Sequence, residues 1–208
     1  MIKSVFLVLI FISNLLCFTQ AFAAKSILLL GDSLSASYGM KQNQGWVHLL
    51  NQQLTERNSS YSIINASISG ETTSGGLSRF PGILSKQNFD YLLIELGGND
   101  GLRGFPPKLI KNNLLQIIKQ AKANNIPVAL MDVKIPPNYG ARYNAMFENV
   151  FSELAEEEDI PLFPFFMTNI AVQPALMQPD GIHPNQNAQP MIAEFVDSHI
   201  KAIIKAEG

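Results

Sequence analysis

Short, uninterrupted apolar runs alternate along this chain with longer segments of helical period, and few folds accept that alternation. Residues 26–30 (SILLL), 61–64 (YSII), 91–96 (YLLIEL), 127–133 (PVALMDV) and 160–163 read as strands. The first and third have no polar face, which suits strands covered on both sides. Between them, 45–57, 75–84, 108–124, 143–158 and 185–205 read as helices. Their apolar stripes recur at helical spacing: Trp46, Leu49, Leu50 and Leu54; Leu114, Ile117, Ile118 and Ala121; Phe147, Val150, Phe151 and Leu154; Ile192, Phe195, Val196 and Ile200. Pro81 and Gly82 weaken the second helix. The acid run at Glu156, Glu157, Glu158 and Asp159 reads as a solvated helix end. Strand–helix alternation of this kind predicts the α/β class, a doubly wound parallel sheet with right-handed crossovers. In such sheets the functional groups gather beyond the carboxyl ends of the strands.

The chain has 208 residues, room for one domain with a real core, and no linker or internal repeat divides it. Fifteen basic against 17 acidic residues leave no surplus for gripping a phosphate backbone, so no nucleic-acid partner is expected. The beginning of the chain is organised differently. Lys3 precedes an apolar run, VFLVLIFI, and Ala21-Phe22-Ala23 closes the segment with a small-x-small pattern. This is the layout of a secretory signal peptide, and Ser13-Asn14 interrupts the run before it reaches membrane-spanning length. The expectation is an exported, periplasmic protein, with residues 1–23 removed near Ala23 and no membrane span left. Cys17, the only cysteine, would go with the signal. The mature protein would then hold no disulfide, no cysteine nucleophile and no cysteine zinc site.

Four polar segments fall at the expected strand ends. Gly31-Asp32-Ser33 follows the first strand and Ser69-Gly70-Glu71 the second. Gly97-Gly98-Asn99-Asp100 follows the third, and Asp180-Gly181-Ile182-His183 stands before the last helix. A carboxylate and an imidazole three apart in a turn can share a hydrogen bond that sets the tautomer of the ring. A surface pair or two metal ligands are the other readings of Asp180 and His183. No third ligand is evident, since His48 and His199 sit within helices. Ser33 is placed as a nucleophile or as a helix cap. Gly70 can bring a backbone N–H to a ligand and Asn99 an amide, although both also suit ordinary turns.

Taken in order, Gly31-Asp32-Ser33, Gly70, Gly97-x-Asn99-Asp100 and Asp180-x-x-His183 resemble the SGNH (GDSL) hydrolase family. The wording GDSLSA, NASISGET, ELGGNDGLRGF and DGIHPN is most similar to its exported thioesterase, lysophospholipase and arylesterase branch. The resemblance implies a flavodoxin-like three-layer sandwich over residues 24–208, with five parallel strands in the order 2-1-3-4-5. It implies Ser33 as nucleophile, His183 as general base and then acid, and Asp180 as the orienting carboxylate. The N–H groups of Ser33 and Gly70 and the Asn99 side chain would form the oxyanion hole. No metal or cofactor is implied. The substrate would be a fatty acyl ester or thioester, and the protein is expected to act as a monomer. A carbohydrate O-acetylesterase of the same superfamily and a non-catalytic periplasmic binding module are the alternatives.

Two further segments are expected to shape an acyl groove, 100–107 and 134–143. Phe105, Ile135 and Pro136 would supply apolar wall, and Lys134, Arg142 or Arg103 would meet a polar head group. The glycines at 101 and 104 suggest that the first segment closes over substrate.

Overall fold

The computed structural model describes residues 24–206, so the proposed signal segment lies outside the described residues. The strands are β1 (Lys25–Gly31), β2 (Tyr61–Asn65), β3 (Tyr91–Glu95), β4 (Val128–Met131) and β5 (Leu162–Phe163). The α-helices are α1 (Trp46–Glu56), α2 (Thr73–Leu84), α3 (Gly98–Leu102), α4 (Pro107–Ala123), α5 (Ala141–Glu157) and α6 (Gln189–Ala206). All five strands are parallel, in the order β2-β1-β3-β4-β5, as the resemblance implies.

Alternate residues of each central strand feed two separate cores. Ile27, Leu29 and Leu93 pack with α1 and α6 on one face. Leu28, Leu30, Leu92 and Ile94 pack with α2, α4 and α5 on the other. Burial on both faces explains why the runs Ile27–Leu30 and Leu92–Ile94 carry no polar residue. Chain leaving β1 turns to one side and chain leaving β3 to the other. The carboxyl ends of these two adjacent strands therefore flank the switch point of the sheet, where such folds open a crevice. In register, Gly31 lies beside Glu95.

Several elements differ from the sequence reading. The Gly-Gly-Asn-Asp stretch is a one-turn helix, α3, rather than a plain turn, because Gly97 adopts φ 124° and redirects the chain into it. Helix α2 survives Pro81 and runs on to Leu84. Thr72 caps its start, and the fully buried Phe80 anchors it beside the proline. The acid run is not simply solvated: Lys122 of α4 pairs with Glu158, while Lys111 pairs with Glu153 and Glu157. No helix of the described residues is long and apolar enough to cross a membrane.

Candidate active site

Ser33 stands two residues beyond β1. Its Oγ lies 2.9 Å from His183 Nε2, although 150 residues separate the two in sequence. On the other side of the ring, His183 Nδ1 lies 2.7 Å from Asp180 Oδ2. The carboxylate can only accept there, so Nδ1 carries the proton and Nε2 is left to accept from the serine hydroxyl. Asp180 is itself held, since the N–H groups of Ile182 and His183 donate to its Oδ1 at 2.9 and 3.0 Å. Burial raises the Asp180 carboxyl, but these donors and the His183 ring outweigh it and hold the group below the usual carboxylate range.

Asn99, in α3, lines the same cavity as Ser33 and His183. Its Nδ2 donates one hydrogen to Asp32 Oδ2 at 3.1 Å, which fixes the amide and leaves the second N–H for a ligand. Gly70 occupies the exposed turn between β2 and α2 with φ 79°, and its carbonyl accepts from Arg103 Nη2 at 3.2 Å. Among the described residues neither the Ser33 N–H nor the Gly70 N–H has an acceptor. Gly70 is not among the residues lining the cavity.

A group of carboxyls lies beneath these residues. Asp32 is 2% exposed, Glu95 1% and Asp100 fully buried. Glu95 Oε2 accepts from the Asp32 N–H at 3.2 Å and from Ser35 Oγ at 2.8 Å. Position 31 must be glycine for this to fit, because a Cβ there would come within 2.7 Å of Ser67 Oγ and 2.8 Å of Glu95 Oε2. Asp100 accepts from Thr73 N at 2.8 Å and Thr73 Oγ1 at 2.6 Å, tying α3 to the start of α2. Burial pushes Asp32 up to about 6 and Glu95 well above the ordinary glutamate value, with the charge of Asp32 adding to the second shift. The sequence reading passed over this layer, because Glu95 sits at the end of a strand where only its burial makes it notable.

The cavity beside Ser33 measures about 600 Å³. Lys134, Ile135 and Pro136 line it. Lys134 Nζ also lies 3.8 Å from Glu148. Phe105 and Arg142 do not line it. Phe105 packs against the α2–α4–α5 core, and its carbonyl accepts from Tyr143 OH at 2.7 Å. Arg142 is exposed near the start of α5. Leu102 takes the place expected of Phe105, and Tyr139 OH donates to its carbonyl at 2.9 Å. The opposite wall, with Phe165, Met167, Ala171, Val172 and Ile182, comes from the segment between β5 and α6. That stretch has no helical or strand period, so pattern reading assigned it nothing. Its density of apolar residues outside any regular element was the available signal.

The comparisons with known proteins agree with this geometry. The GDSL-like lipase/acylhydrolase family matches residues 29–189. The chain belongs to that family. It is 45% identical over 185 residues to thioesterase 1/protease 1/lysophospholipase L1 of Escherichia coli K12, covering 89% of this chain and 88% of that one. It is 47% identical to an arylesterase of Vibrio mimicus, over 84% of this chain and 87% of the other. Among solved structures, the psychrotrophic esterase EstA from Pseudoalteromonas sp., inhibited by monoethylphosphonate, superposes with a TM-score of 0.85 at 46% identity. That match covers 87% of this chain and 99% of that one. The protein is thus an ester hydrolase of the GDSL-like family rather than a binding module that kept the fold.

Proposed function

We propose that this hydrolase cleaves fatty acyl esters and thioesters through an acyl-enzyme on Ser33. The reading is carried by one observation: the unbroken line from Ser33 Oγ through both nitrogens of His183 to Asp180, at 2.9 and 2.7 Å. A serine hydroxyl is too weak an acid to attack alone, so Nε2 of His183 takes its proton as the Oγ–carbon bond forms. Asp180 stabilises the imidazolium that results. The carbonyl oxygen becomes an oxyanion, which the N–H groups of Ser33 and Gly70 and the free Asn99 amide hydrogen meet. These donors hold the tetrahedral state more tightly than the ground state. His183 then returns its proton to the departing alkoxide or thiolate. Water repeats the sequence on the acyl-enzyme, releasing the acid and restoring Ser33.

The apolar walls at Leu102, Val133, Ile135, Phe165 and Met167 suit an acyl chain, with Lys134 at the cavity placed for a polar head group. We also infer that residues 1–23 form a signal removed near Ala23. On that reading residues 24–208 act as a monomeric periplasmic domain. Replacing Ser33 by alanine should lower kcat on a p-nitrophenyl ester by about 10³- to 10⁶-fold with the fold intact. Unchanged turnover would remove the assignment. A series of acyl-CoAs, lysophospholipids and acetylated xylan tests the substrate class, and preference for acetylated xylan would favour the carbohydrate esterase instead.

A further inference from the structure

We propose that Gln178 is a positioning residue that holds the Asp180–His183 turn against the loop carrying Ser33. The inference rests on the triad reading above. Gln178 stands at the neck of that turn, which an antiparallel bridge between Met177 and Pro184 closes. Its backbone N–H donates to the His183 carbonyl at 2.8 Å, and its own carbonyl accepts from Gly181 N at 3.0 Å. Its side chain then crosses to the other loop. Nε2 donates to the Tyr38 carbonyl at 2.8 Å and to the Pro184 carbonyl at 3.0 Å. Both partners are carbonyl oxygens and can only accept, so the amide must face them with its NH₂.

Tyr38 completes the connection. Its N–H donates to the Ser33 carbonyl at 3.5 Å, the long end of a hydrogen bond, and its ring lies 4.1 Å from the His183 ring between centroids. Nucleophile and base are therefore joined by a second route that does not pass through their own hydrogen bond. That route is Ser33 carbonyl, Tyr38, Gln178, His183 carbonyl. Its fit is tight. Gly39 has φ 71°, and a Cβ there would come within 2.3 Å of Gln178 Oε1. The need for such a clamp follows from the turn itself. Asp180, Gly181 and Ile182 are exposed, and the turn belongs to no helix or strand, so its placement depends on the contacts that cross to the loop carrying Ser33. A misplacement of about 1 Å in such a pair can cost about 100-fold in rate.

The test compares Gln178→Met, which keeps the length and removes both donors, with Arg57→Met. Arg57 pairs with Asp197 across α1 and α6, away from the site, and supplies the stability control. The readouts are kcat and KM on a short p-nitrophenyl ester, the rate of fluorophosphonate labelling of Ser33, and Tm. Gln178→Met should lower kcat and the labelling rate together, by about 10- to 100-fold, with KM within about two-fold. Arg57→Met should lower Tm and leave kcat unchanged. Gln178→Asn, with the same amide on a shorter arm, should fall between wild type and Gln178→Met, and it carries the test if the methionine variant does not fold. A normal kcat in Gln178→Met or Gln178→Asn despite a lowered Tm would overturn the inference. Full turnover in Ser33→Ala would instead overturn the triad reading beneath it.

Discussion

One buried carboxyl at the amino edge of the sheet and three at the carboxyl edge meet different kinds of partner. At the amino edge, Asp197 of α6 meets Arg57, Lys201 and the Tyr61 hydroxyl, at the first residue of β2. At the carboxyl edge, Asp32, Glu95 and Asp100 meet only amide N–H groups and the hydroxyls of Ser35 and Thr73. Burial raises all of them, but at Asp197 the cations and the tyrosine win and bring the group down to about 2. At Asp32 nothing positive opposes burial, and the group rises to about 6. The first arrangement bolts α1, β2 and α6 together. The second costs stability near neutral pH and holds the backbone under Ser33 and the amide of Asn99. Proteins accept such costs mainly where chemistry is done.

The comparison can be broken at either edge. The largest effect is expected from Asn99→Ala. It removes the proposed oxyanion donor and should lower kcat by about 10²- to 10³-fold while Tm changes little. Asp197→Asn should do the opposite: kcat unchanged, with about 2 kcal/mol less stability at pH 7 in urea unfolding. The sign follows from the lowered folded pKa. The contribution of Asp197 is present above pH 4 and fades as pH falls toward 2, so the variant and the wild type should converge in acid.

Glu95→Gln sharpens the contrast. A raised folded pKa gives stability that is complete below the unfolded value, near 4.5, and is lost as pH rises through the folded value. Wild-type Tm should therefore decline between pH 5 and 8 more steeply than that of Glu95→Gln. Equal slopes would show that Glu95 ionises as readily in the folded protein as in the unfolded chain. The smallest effect belongs to Lys111→Met, whose partners Glu153 and Glu157 are about half exposed. Losing them should cost no more than about 1 kcal/mol in urea unfolding at low salt, and less when salt is added.

Much of the framework was legible because its signals are local. The run of four apolar residues from Ile27 to Leu30, short and closed by Gly31, suits a strand buried on both sides. Phe147, Val150, Phe151 and Leu154 mark one helix face wherever that helix packs. The polar blocks at Ser33, Asn99 and His183 stood out for the same reason: each is a short, unusual string at the end of a strand or before a helix. Phe105 and Arg142 misled because neighbourhood in sequence does not say which way a side chain leaves a loop. Phe105 turned into the core beside Tyr143, and Leu102 faced the cavity.

The alternation of periods determined by itself that this chain forms strands with helical crossovers, and the strings at their ends marked the residues proposed for acyl chemistry. Only the tertiary structure decided that Gln178 reaches Tyr38, that three carboxyls share the space under Ser33, and that residues 165–172 wall the cavity. Hydrogen-bond period and turn preference act over a few residues. Contacts across 60 to 140 residues depend on strand register and on how two cores pack against one sheet, which no local pattern encodes.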